Sequence, residues 1–115
     1  MSFSEFEQKR YESIVGKFID ARRPRPEIRD QLDLAFRIEN QSVVIFEIRP
    51  LWNNPLEKIE SMVAKATYVK TQEAWKIYWQ RADLKWHSYQ PVPKVKTLEE
   101  FLEVVAEDSY ACFFG

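Results

Sequence analysis

From Ile28 to Glu39 the chain alternates. Ile28, Leu32, Leu34, Phe36 and Ile38 fall on one side of an extended backbone, and Arg29, Gln31, Asp33, Arg37 and Glu39 on the other. Successive strand residues point to opposite faces, so this pattern describes a strand with one buried face. Glu39-Asn40-Gln41 is a turn signal, because asparagine tolerates the left-handed conformation. The next run, "SVVIFEIR", is rich in β-branched residues and reads as a second strand. Strands that follow one another with no long helix between them make an antiparallel sheet. A three-residue turn sets Phe36 opposite Val44, Leu34 opposite Phe46 and Asp33 opposite Glu47.

The rest of the chain fits around that hairpin. Ser4-Glu5-Phe6-Glu7 matches a capping box, with Ser2 and Glu5 an alternative start. Phe3, Phe6, Ile14, Val15, Phe18 and Ile19 recur at helical spacing, predicting a helix over 4–21 that the prolines of "RRPRPE" end. Pro50, two asparagines and Pro55 mark a loop over 50–61, with room for one helical turn after Pro55. "MVAKATYVK" fits helix or strand; Thr67, Tyr68 and Val69 favour strand. "AWKIYWQR" and "LKWHSY" form a hairpin about Ala82-Asp83, and "QPVPKVK" a linker. Thr97 with Glu100 is a second capping box, opening a helix to about 107 with Leu98, Phe101, Leu102 and Val105 as its stripe. The tail "SYACFFG" is apolar enough to pack. The expected fold is α+β: an N-terminal helix, an antiparallel sheet of about five strands and a C-terminal helix, both helices on one face, in a single domain over 1–115.

Composition bounds the function. A net charge of −1 gives no global field toward nucleic acid or membrane. Basic residues gather before Arg29 and between Lys65 and Lys96, while the end, from Glu99 to Asp108, is acidic. Cys112 has no partner for an internal disulfide. There is no apolar leader and no stretch long enough to span a bilayer, so the expectation is a soluble, reduced, cytoplasmic protein.

The densest chemistry lies in "WKIYWQRADLKWHSY", residues 75–89, which holds three of the four tryptophans and the single histidine. A two-residue turn at Ala82-Asp83 pairs Trp79 with Trp86 and Ile77 with Ser88. Trp75, Ile77, Trp79, Leu84 and Trp86 then share a core face. Lys76, Tyr78, Lys85, His87 and Tyr89 share the opposite one, with Arg49 and Arg81 at its margins. Basic groups interleaved with aromatic rings suit single-stranded nucleic acid, ammonium to phosphate and ring to base, or another flat anionic ligand.

Two catalytic arrangements merit comparison. Asp33, Glu47 and Arg49 echo the PD-(D/E)xK pattern, in which acids on paired strands hold a divalent metal beside a water. Arginine in place of the lysine stays protonated and cannot act as a base. Cys112 and His87 could pair as nucleophile and base, but no oxyanion loop accompanies them. No cofactor motif is present, and His87 lacks the partners of a zinc site.

In "FEIRPLW", "AKATYVK", "WKIYWQRADLKWHSYQP" and the closing "ACFFG" the chain resembles a bacterial family of short proteins, domain of unknown function 3024. That resemblance implies a stand-alone bacterial protein and brings no catalytic residues, since the family carries no assigned activity. The expected function is a small, non-enzymatic binding or interaction domain without cofactor. The alternatives are a relic of a metal-dependent phosphodiesterase and a structural homo-oligomer, for instance a homodimer.

Overall fold

A computed structural model describes residues 3–110 and 112–114. Ser2, the alternative cap, and Ala111 and Gly115 of the aromatic ending lie outside them. The element order is α1 (Glu5–Arg22), β1 (Asp33–Glu39), β2 (Ser42–Leu51), β3 (Asn54–Val69), a 3-10 turn (Lys70–Gln72), β4 (Ala74–Gln80), β5 (Trp86–Ser88), β6 (Lys94–Val95) and α2 (Leu98–Glu107). The sheet is antiparallel throughout, in the order β1-β2-β3-β4-β5, with β6 continuing along the β4 edge after β5. The fold is α+β, as the sequence predicts.

Both helices lie on one face of the sheet. The Ser4 hydroxyl accepts from the Glu7 amide at 3.1 Å and the Ser4 amide donates to the Glu7 carboxylate at 3.0 Å, closing the capping box of α1. Val15 and Ile19 of α1 and Leu98, Phe101, Leu102 and Val105 of α2 meet Leu34, Val43, Ile45, Ala66, Trp75 and Ile77 in one core. Each of the valine, leucine, isoleucine and phenylalanine side chains among them contributes about 1.5–3 kcal/mol by leaving water. Thr97 caps α2 by accepting from the Glu100 amide at 3.1 Å. Past α2, Asp108 adopts a left-handed conformation (φ 44°), and its carboxylate accepts from the amides of Phe113 and Phe114. This turns the tail back, and Phe113 packs on Tyr89 with ring centroids 4.7 Å apart.

Four local expectations are corrected. β1 begins at Asp33, not Ile28, because residues 26–32 are held in turns, with the Gln31 and Leu32 amides donating to the Ile28 carbonyl. The first hairpin turns in two residues: Asn40, at φ 53°, lets Glu39 pair with Ser42. Phe36 therefore faces Ile45, and Val44 and Phe46 turn to the side away from the helices. The expected loop over 50–61 is instead the end of a long hairpin, Leu51 pairing with Asn54 across Trp52-Asn53. Pro50 fits because this part is a two-stranded ribbon whose outer edge needs no amide, and Pro55 fits because it lies in the unpaired stretch 55–57 where the register shifts. "PKVK" is not a bare linker, since Trp75 pairs with Val95 and Lys76 with Lys94.

The stretch "MVAKATYVK", which fits helix or strand, is strand through Val69 and forms the second half of β3. Its register steps by one between Ile45–Ala64 and Phe46–Met62, so Val63 is the extra residue of a β-bulge, buried with Ala64 in the core.

Candidate functional site: the open sheet face

The second hairpin decides which side chains share a surface. Leu84 donates its amide to the Arg81 carbonyl at 2.8 Å, Leu84 sits at φ 62°, and the Arg81 amide donates to the Lys85 carbonyl at 3.2 Å. This is a three-residue loop, a turn followed by one left-handed residue. Asp83 fixes the extra residue: one carboxylate oxygen accepts from the Lys85 amide at 2.9 Å and the other meets His87 Nε2 at 2.9 Å. These bonds hold the Asp83 carboxyl below the usual carboxylate range, the backbone bond contributing most. Leucine rarely takes this conformation, and Leu84 is 76 % exposed, with little packing to compensate. Leu84→Gly is expected to stabilise the protein by about 1 kcal/mol, read as a raised midpoint in urea unfolding with an unchanged slope.

The longer loop shifts the register by one. Trp79 faces His87, Gln80 faces Trp86 and Tyr78 faces Ser88. Of the residues expected together, Lys76 and Tyr78 do lie on the open face. Tyr89 does not: it is 2 % exposed and belongs to the core. His87 falls on the helix side with Trp79 and is engaged by Asp83. Lys85 and Arg81 belong to the hairpin end, the Arg81 guanidinium lying 5.7 Å from the Trp79 ring. Arg49 stands apart on the long hairpin, paired with Glu47 at 2.9 Å.

In place of the lost residues the sheet brings others. One cross-strand row runs Arg37–Val44–Lys65–Tyr78–Ser88, and the next runs Glu39–Ser42–Thr67–Lys76–Lys94. Trp86 lies beside the first row, opposite Gln80. Lys65 Nζ is 5.2 Å from the Tyr78 ring centroid and 5.0 Å from that of Trp86. An ammonium over ring faces is attracted by their quadrupoles. Partial burial by these neighbours lowers the Lys65 pKa, a shift that Glu39 opposes. Arg37 lies 4.5 Å over Phe46 and pairs with Glu60 and Glu39, so its own cation is neutralised. Among the described residues Lys65, Lys76 and Lys94 form no ion pair. Trp86 was missed because the Asp83 loop sets its register, and Lys65 and Lys94 because their places come from the β3–β4 and β4–β6 pairings.

The metal-holding arrangement does not form. Asp33 is opposite Ile48, and Glu47 is opposite Leu34, so the acids are not a cross-strand pair. Arg23 grips Asp33 through two bonds of 2.9 and 2.8 Å, keeping that carboxyl below its ordinary range. Glu47 is taken by Arg49. No cluster of three potential metal ligands occurs among the described residues. Cys112 Sγ lies 3.7 Å from the Tyr110 carbonyl, its thiol pushed up by burial and then by Asp108, while His87 is held at Asp83. This is the opposite of an activated nucleophile. Among the described residues no helix is long and apolar enough to cross a membrane.

The chain matches, over residues 3–115, the family described as Domain of unknown function (DUF3024). The chain belongs to this family. Neither the curated proteins nor the solved structures include a significant match to this DUF3024 chain.

Proposed function

We propose that the protein is a small binding domain whose open sheet face takes single-stranded nucleic acid. The observation that carries this reading is Lys65 set between the rings of Tyr78 and Trp86, with Lys76 and Lys94 on the adjoining row. Three cations without carboxylate partners among the described residues can meet successive phosphates, and two rings on the same face can stack on bases. The neighbouring acids, Glu39 and Glu60, share the single Arg37 cation, which leaves one negative charge beside the three lysines. Stacking on a flat sheet needs unpaired bases, so a duplex is the poorer ligand.

The test is a fluorescence-anisotropy titration of a labelled single-stranded oligonucleotide. Displacing counterions from about three phosphates gives a slope near −2 in log affinity against log salt. Affinity is expected to fall about 20-fold between about 50 and 200 mM salt, and a duplex of the same sequence to bind more weakly. An anisotropy that stays flat at low salt, with protein in large excess, would sink this reading.

A further inference from the structure

Among the described residues, apolar surface faces solvent at the end of the β2–β3 hairpin and in the groove between the helices. Beyond the Asp33–Ile48 pair β1 no longer covers β2, and β4 pairs with β3 only from Lys65 onward. Residues 49–59 thus form a two-stranded arm with both edges free. At its tip Trp52 is 89 % exposed and Leu56 is 93 % exposed. A free indole and a free leucyl group four residues apart are unlike scattered surface apolar residues, and mark a contact surface.

Charge narrows the partner. The tip from Pro50 to Leu56 is uncharged, and the flanking Arg49 and Lys58 are balanced by Glu57 and Glu60. A polyanion or an anionic lipid surface would call for cations beside the apolar tip. A neutral arm of this kind suits an apolar protein groove instead. One such groove lies between α1 and α2, with a volume of about 420 Å³ and a floor of Ile14, Phe18, Leu102 and Ala106. Its rim carries Lys17 on the α1 side and Glu99 and Glu103 on the α2 side. The arm's exposed Glu57 can meet Lys17 there, while Lys58 donates to the Asp30 carbonyl within its own chain.

Area fixes the stoichiometry. A tryptophan hides about 150–250 Å², so a single contact through Trp52 and Leu56 stays well below the about 1,200–2,000 Å² of a stable interface, and two reciprocal contacts double it. Reciprocity about a two-fold axis also closes the assembly, while a one-way contact would propagate into a filament. We infer that the protein forms a two-fold dimer in which Trp52 and Leu56 of each copy enter the α1–α2 groove of the other. The open sheet face lies on the side away from this groove, so the inference does not depend on what that face binds.

Sedimentation velocity over a micromolar concentration series tests it. Wild-type protein is expected to convert from the 13.8 kDa chain to a species of twice that mass. Trp52→Ser/Leu56→Ser removes the plug, and Ala106→Arg fills the groove from an exposed position. Each is expected to weaken self-association at least about a hundredfold, with circular dichroism unchanged. Mixing the two variants restores one of the two contacts, so a weaker heterodimer should appear. A wild type that stays at the mass of one chain overturns the inference. So does an arm variant that dimerises normally, or a groove variant that does so while the arm variant does not.

Discussion

Tyr89→Ala is expected to lower the free energy of unfolding by about 3–5 kcal/mol, the range for removing a large buried ring. Urea denaturation followed by tryptophan fluorescence measures it. Tyr89 lies on the helix side of the sheet, its ring against Phe113, and its amide donates to the Ile77 carbonyl at 2.9 Å. Truncation leaves a cavity between β5 and the returning tail, and the Asp108 bonds that hold the tail lose the contact they serve. Tyr89→Phe keeps the ring and should retain most of the stability. Had the hairpin turned in two residues, Tyr89 would sit on the open face and alanine there would cost little. A measured loss under about 1 kcal/mol would therefore contradict the three-residue loop as well as the burial of this ring.

Trp86→Ala should give the opposite result. It removes a half-exposed ring from the open face, at a cost of about 1 kcal/mol in stability. Binding of single-stranded nucleic acid should weaken by about 1–3 kcal/mol, or about 5- to 150-fold. The same anisotropy titration gives the number. His87→Ala is the control: the imidazole is on the helix side with Asp83, so affinity should stay within about twofold of wild type. If His87→Ala weakens binding and Trp86→Ala does not, the ligand lies on the other face of the hairpin.

The contrast between these two residues shows where sequence patterns stop being informative. Local signals worked well: the Ser4 and Thr97 caps, the stripe of α2 and the alternation of β1 report on bonds within a few residues. The α+β architecture followed from the order of those elements. The candidate surface did not follow, because it rests on two turns and on the β3–β4 and β4–β6 pairings. Asn40 shortens the first by one residue, and the Asp83 carboxylate lengthens the second by one. A slip of one residue exchanges the faces of a strand. It sent Val44 and Phe46 to the open side, exchanged Tyr89 for Trp86, and left only Lys76 and Tyr78 of the seven expected residues on the open sheet face. The arm was misread for another reason. Proline argues against a central strand, but Pro50 and Pro55 lie where the sheet has narrowed to two strands.

The strand order has a consequence for how the chain reaches this state. Because β1 to β5 are neighbours in the order in which they occur, each can zip onto its predecessor by closing a short loop. The entropy of such closures is small, and meanders of this kind fold faster than sheets built from distant segments. Docking of α1 against α2 joins the two ends of the chain and is the step with the largest loop to close. Folding should therefore proceed through hairpins first, with the helices sealing one side last and Tyr89 and Phe113 meeting only at the end. Tyr89→Ala would then speed unfolding and leave the folding rate nearly unchanged.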